Sequence, residues 1–277
     1  MAPTQIVKLL EDFEPGKYDI SSLHAICYGG APIYVDQLKQ AIQTFGPIFV
    51  QLYGQGEAPI TITGMSGERH RELLANNDPR IGSAGQTRTD VEAHCVDEND
   101  NPLPPGKAGE VVARGDVVMP GYWQNPEATA EALRGGWLHT GDIGYFDDQG
   151  YLFLLDRAKD MVISGGNNVY PREVEEVIIL HQKVANCVVF GIPDEYWGEA
   201  VHAVVVLKTG ETMTGREVID FCGEHMAGYK KPKAVDFVSE LPVSGYGKIL
   251  RREVRDAYWV GHSSRIGGGS GTQVASS

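Results

Sequence analysis

Apolar positions along this chain switch between helical and strand spacing, and the switches divide it into elements. Ile6, Leu9, Leu10 and Phe13 fall on one face of a helix predicted over Pro3 to Phe13. A second helix is expected from about Asp36, read as its cap, to Phe45, with Gly46 as its stop. Ile48 to Tyr53 reads as a strand running into Gly54-Gln55-Gly56-Glu57. From Ile81 to Gly115 the pattern is strands, broken by Asp97-Glu98-Asn99-Asp100-Asn101 and by Pro104-Pro105-Gly106. Asn125 to Leu133 predicts a short helix with Pro126 at its first position, and Tyr145 to Leu155 a hairpin around Asp147-Asp148-Gln149-Gly150.

Beyond Lys159 the elements alternate. A helix over Pro171 to Leu180 puts Val174, Val177 and Ile178 on one face. Strands are expected at Val184 to Phe190, Ala200 to Leu207 and Val235 to Val238, with a helix at Thr214 to His225. This is a small α+β lobe, assigned to residues 159–260, following a larger α/β part at 1–158. Residues 261–277 end in a Gly/Ser-rich run and are expected to form a disordered tail.

Composition narrows the possibilities. A net charge of −13 argues against a generic nucleic-acid binder and favours solubility, although it leaves room for a local basic pocket. No apolar run approaches the ~20 residues of a membrane span, and the first residues lack a basic-then-apolar leader. Cys27, Cys95, Cys187 and Cys222 are scattered without Cys-x-x-Cys spacing, which suggests reduced thiols in a cytoplasmic protein. The eight histidines include no His-x-x-x-His pair, so a transition-metal site has little support.

Five segments carry candidate chemistry. Gly29-Gly30-Ala31-Pro32 follows an apolar strand and precedes a helix; glycines there let a flat ligand lie against backbone, though such turns are common. Tyr53-Gly54-Gln55-Gly56-Glu57 offers a carboxylate on a glycine-rich turn, the kind of oxygen ligand a phosphate-bridging Mg²⁺ takes; a solvated turn is the plainer alternative. Thr140-Gly141-Asp142 places an acid where two hydroxyl donors can reach it. Tyr151 to Glu175 runs from an apolar strand through Asp156-Arg157-Ala158-Lys159-Asp160 to Gly165-Gly166, and then to the helix opened by Pro171. In Gly245-Tyr246-Gly247-Lys248-Ile249-Leu250-Arg251, a lysine on a glycine-bearing loop can bring a point charge to a phosphate, although a lone Gly-Lys is a weak signal.

Taken together, these segments resemble the adenylate-forming superfamily, most closely its acyl-CoA synthetases (fatty-acid–CoA ligases). The resemblance covers nearly the whole chain but only the C-terminal half of a family member. It implies the C-terminal part of the large domain followed by a small mobile lobe. Gly29, Gly30, Ala31 and Pro32 then pack on adenine, Tyr53 stacks on it, and Gly54, Gln55 and Gly56 belong to the same motif. Glu57 holds Mg²⁺, Asp142 binds the ribose hydroxyls of ATP or AMP, and Arg157 contacts ribose or phosphate. Lys159 is the hinge, Gly165 and Gly166 form the glycine loop, and Lys248 bridges the carboxylate substrate and the α-phosphate. Gly56 departs from the threonine usual there, which removes one hydroxyl.

Trp197, Tyr229, Lys231 and Lys233 match positions where acyl-CoA synthetases bind the nucleotide of coenzyme A. The family's Ser/Thr/Gly-rich phosphate loop ending in Pro-Lys-Gly has no counterpart in this sequence. The resemblance therefore implies a carboxylate–CoA ligase fragment with unpaired sheet edges, completed by a separate N-terminal half or assembled as a homo-oligomer. An adenylation domain serving a carrier protein, and a catalytically silent nucleotide- or CoA-binding module, stay open beside it.

Overall fold

The computed structural model describes residues 1–31, 33–245 and 249–260. The expectations for Pro32, Lys248 and the 261–277 tail fall outside the described residues. The chain forms two compact units, one built mainly from Met1–Leu155 and the other from Asp156–Ser244 with residues 249–260.

The first unit contains two sheets. In one, β1 (Ile26–Gly29) lies parallel to β2 (Phe49–Gln55); β3 (Ala58–Met65) and β4 (Gln86–Thr87) extend it antiparallel, in the order β1-β2-β3-β4. Three helices accompany this sheet: α1 (Pro3–Asp12), α2 (Val35–Phe45) and α3 (Gly67–Ala75). Ile6, Leu38, Ile42, Phe45 and Phe49 share its core, as the helical spacing requires. Asp36, expected to cap α2, instead lies in the first turn with Tyr34 at the cap position. There its charge still favours the helix N-terminus. Gly46 ends the helix as expected, at φ 86° with its N–H returning to Ile42.

The second sheet runs β5 (Glu92–Val96), β6 (Gly109–Arg114), β7 (Leu138–Phe146) and β8 (Leu152–Arg157) in that order, with α4 (Pro126–Ala132) between β6 and β7. The β7–β8 turn falls at Asp147–Gly150, where the sequence puts it, and the Asp147 carboxylate accepts the N–H groups of Gln149 and Tyr151. Main-chain bonds between Ala84, Gly85 and Leu152 tie the two sheets together.

The second unit is a five-stranded sheet of β9 (Val162–Ser164), β10 (Asn167–Val169), β11 (Val184–Asp194), β12 (Gly198–Leu207) and β13 (Ala234–Phe237). Helices α5 (Pro171–Ile179), α6 (Gly215–His225) and α7 (Arg251–Asp256) complete it. Val174, Ile178, Val189, Val201, Val205 and Val218 fill one core. Thr214 and Glu217 form a reciprocal cap at the start of α6, which fixes that boundary. The mixed α/β architecture agrees with the sequence-based expectation.

Candidate active site

Within the first unit, β2 and β7 come from different sheets and place their chemistry-bearing residues together. The Tyr53 hydroxyl donates to Asp142 Oδ2 at 2.8 Å, and Gln55 Nε2 donates to the same oxygen at 2.8 Å. Gln55 Nε2 also reaches the Thr140 carbonyl at 2.6 Å, so one amide spans two residues of β7. Asp142 is buried, which makes such donors necessary for a charged group. Its N–H donates to Thr140 Oγ1, and that hydroxyl donates to the Val111 carbonyl. Gly141, at φ 67°, makes the turn between them.

Neighbouring glycines permit close backbone approach. A Cβ on Gly29 would sit 2.2 Å from the Leu52 carbonyl oxygen, and one on Gly54 would sit 2.3 Å from that of Ala58. Gly30 turns at φ 77° and leads to Ala31. Gly56 is different, because a Cβ there would meet nothing within 4 Å. Next to it, Glu57 Oε1 accepts the Tyr122 hydroxyl at 2.6 Å, and its carbonyl accepts the Met119 N–H at 2.7 Å. That carboxylate raises the Tyr122 pKa by accepting the hydrogen bond its hydroxyl donates, and burial adds to the effect. Tyr122 is itself held by the Thr129 hydroxyl of α4. This contact between Tyr122 and Glu57, 65 residues apart, has no signature in the sequence.

Among the described residues, no group of three or more His, Cys, Asp or Glu is arranged to cage a metal ion. A half-buried carboxylate with one oxygen held by a tyrosine suits a cation that also takes oxygens from phosphates and water.

In the second unit, Arg157 ends β8, and Lys159 sits in a single 3₁₀ turn over Ala158–Asp160; both are exposed. Gly165 and Gly166, at φ 56° and 77°, make the β9–β10 turn. The Gly165 N–H donates to the Trp197 carbonyl, and a Cβ on Gly165 would sit 2.6 Å from Trp197 Cε3. Lys233 Nζ lies 4.9 Å from the Trp197 ring centroid, within cation–π range. Tyr196 packs edge-on against the same indole at 4.7 Å. The glycine loop, Trp197 and Lys233 are thus one surface. Tyr229 instead carries Lys230 over its ring, and Lys230 pairs with Glu173 of α5. Lys231 lies beside Gly223 of α6, where a Cβ would meet its Cδ at 3.9 Å.

The family model for the AMP-binding enzyme matches residues 1–123, and the model for the AMP-binding enzyme C-terminal domain matches residues 173–248. The chain belongs to the AMP-binding enzyme family.

A medium/long-chain-fatty-acid–CoA ligase of Mycobacterium tuberculosis is 38% identical over 96% of this chain and 47% of its own length. A fatty acid–[acyl-carrier-protein] ligase of Streptomyces coeruleorubidus is 37% identical over 96% of this chain and 50% of its own. Among solved structures, an amide bond synthetase from Marinactinospora thermotolerans superposes with a TM-score of 0.85 at 36% identity, covering 93% of this chain and 51% of that one. The chain therefore spans about half the length of the curated relatives it matches.

Proposed function

We propose that this AMP-binding family chain carries the nucleotide-handling and thiol-handling parts of an ATP-dependent carboxylate–CoA ligase. The observation that carries the reading is the convergence of Tyr53 and Gln55 on the buried Asp142 carboxylate. In this assignment Asp142 accepts the ribose hydroxyls, with its orientation fixed by β2. Gly29, Gly30, Ala31 and Pro32, together with Gly54, let the adenine lie against backbone. Glu57 is the protein ligand of Mg²⁺, which supplies charge neutralisation to the phosphates when bound.

The reaction has two halves. A carboxylate oxygen attacks the α-phosphorus of ATP, the bond to the bridging oxygen breaks, and pyrophosphate leaves. The sulfur of the thiol, having given up its proton, then attacks the acyl carbon, and AMP leaves. Lys248 stabilises the first transition state by pairing its ammonium with charge developing on the carboxylate and α-phosphate. Arg157 assists at the ribose or phosphate, and rotation about the segment containing Lys159 exchanges the two arrangements.

The paired Trp197 and Lys233 support coenzyme A as the thiol. An exposed indole with a cation above it suits an adenine and its phosphates, whereas a carrier protein needs no such nucleotide platform. Tyr229 is assigned, with Trp197, to the adenine of the same ligand, and Lys231, with Lys233, to its phosphates. The carrier-bound thiol remains the second reading, because a relative 37% identical over 96% of this chain is a fatty acid–[acyl-carrier-protein] ligase.

ATP–pyrophosphate exchange across a panel of carboxylic acids tests the reading. It is run on this chain alone and on the chain joined to the N-terminal half of a relative, which supplies the phosphate loop these 277 residues lack. Acid-dependent exchange by the joined protein that Asp142→Asn abolishes supports the assignment. Exchange unaffected by Asp142→Asn rejects it.

A further inference from the structure

Arg251 opens α7 and is partly enclosed by three carboxylates drawn from two other places in the chain. Its Nη1 lies 2.8 Å from Asp156 Oδ1 and 3.8 Å from Asp160 Oδ2. Its Nη2 reaches both oxygens of Glu175 on the buried face of α5, at 2.9 and 3.1 Å. Burial opposes the Arg251 charge, but the fields of Glu175, Asp156 and Asp160 outweigh it and raise its pKa. The cluster extends in both directions. Asp156 Oδ2 accepts the Arg172 N–H in the first turn of α5, and Asp160 Oδ1 lies 3.3 Å from Arg255 Nη1, one turn along α7.

Exposed ion pairs form and break at little cost, but a buried set behaves differently. Removing one member leaves the others as uncompensated charge out of water, so the group holds or opens together. Here it joins two segments far apart in sequence. Asp156–Asp160 is where the chain enters the second unit, and it contains Lys159. Arg251 stands at the foot of the loop that carries Lys248. That loop is closed at its base: the Leu250 N–H donates to the Pro242 carbonyl at 2.9 Å, and Val243 bridges to Ile249.

We propose that Arg251 is a positioning residue that fastens the base of the Lys248 loop, Pro242–Val243 paired with Ile249–Leu250, to the Asp156–Asp160 segment and to α5, so that this base and the entry segment are held as one body. The inference rests on the role given above to Lys248, because Arg251 acts through the loop it anchors. Only a planar fork attaches to Asp156 and Glu175 at once. Lysine at this position keeps the charge and loses the second attachment. Arg252, the next residue, is exposed and pairs with Asp256 one turn away, which makes it the natural control.

Hydrogen exchange read by mass spectrometry on the purified chain tests the anchoring directly. In Arg251→Lys, peptides covering 156–160 and 242–250 should both exchange faster, by about tenfold, the scale of one lost hydrogen bond to a charged group. Arg252→Lys should leave both unchanged. If Arg251→Lys does not fold, Asp156→Asn and Asp160→Asn, which each remove a single carboxylate charge, take its place and carry the same expectation. Faster exchange in one segment alone, or in neither, overturns the proposal.

A second readout uses the chain joined to a relative's N-terminal half. Pyrophosphate exchange should fall about tenfold more than thioester formation from supplied acyl-adenylate. Equal losses in the two half-reactions mark Arg251 as merely structural and overturn its positioning role. If the wild-type protein supports neither half-reaction, the ligase reading fails while the hydrogen-exchange result still decides the anchoring.

Discussion

Tyr53 and Asp142, 89 residues apart, meet through a 2.8 Å hydrogen bond from the phenol to a buried carboxylate oxygen that also accepts the Gln55 amide. This oxygen is taken up by the protein itself, so the carboxylate is held before any ligand arrives. Such preorganisation lowers the cost of binding. Tyr53→Phe should therefore leave the fold intact and weaken AMP by several-fold. Asp142→Asn should weaken it by about ten- to a hundredfold, the worth of hydrogen bonds to a charged group. Calorimetric titration with AMP measures both, and wild-type affinity in Asp142→Asn would remove this residue from the site.

Gly56 stands in open space, and its neighbours place no demand on a missing side chain. Gly56→Thr is expected to fold normally, with an unfolding midpoint within experimental error of the parent. The added hydroxyl should strengthen metal–nucleotide binding rather than block it. Weaker binding in Gly56→Thr would mean that the glycine is required there for a ligand's approach.

His70 gives a pH dependence whose sign is fixed by its partners. Its Nδ1 faces the Ser66 carbonyl at 2.8 Å, so that nitrogen carries the proton, and Nε2 accepts the Tyr28 hydroxyl at 2.9 Å. Burial holds its pKa below the ordinary 6.5. Below pH 6.5 the unfolded chain takes up a proton that the fold refuses. The stabilisation is thus complete above that pH and is lost as pH falls towards the folded-state pKa. Urea midpoints should decline from neutral pH to about pH 5, and His70→Gln should flatten part of that decline. An identical slope in the variant would contradict the assignment.

Trp197 and Lys233 should act together. Trp197→Ala is expected to weaken coenzyme A by about 1–3 kcal/mol, the range for a base stacked on an aromatic ring. Lys233→Glu should raise the apparent KM for coenzyme A, less so at high salt, where the phosphates are screened. Gly165→Ala should do the same indirectly, since a methyl there collides with the indole. Unchanged coenzyme A dependence in all three would move the weight to a carrier-protein thiol.

Lys248→Ala, in the chain joined to a relative's N-terminal half, should slow adenylation by about 10²–10³, by analogy with removal of a single oxyanion donor. Thioester formation from supplied acyl-adenylate should be largely spared. Comparable losses in both halves, with folding unchanged, would refute the division of labour.

Elements with strong periodicity were legible from the sequence, and so were the turns that glycine requires. The helix at Pro3, the α6 cap at Thr214 and the Asp147–Gly150 turn all lie where local chemistry put them. The segment from Ala58 to Ala75 was not assigned. There β3 follows a tight connection, and α3 carries four charged residues in nine, with only His70 and Leu73 buried. Contacts between distant elements were also out of reach. Neither the aim of Gln55 at Asp142 nor the grip of Arg251 on Asp156, 95 residues away, leaves a signature in spacing, because packing between elements distant in sequence creates both.

The four thiols give the molecule one further property. Cys95, Cys187 and Cys222 are buried, and burial pushes Cys95 and Cys222 up to about 11, so neither readily forms the reactive thiolate. Cys27 alone is exposed, and it lies on β1 two residues before Gly29. A maleimide dye applied to the folded chain should attach there selectively, at the margin of the surface assigned to adenine. The native sequence thus contains its own labelling handle, and the fluorescence of a single dye could follow nucleotide arrival without an engineered cysteine.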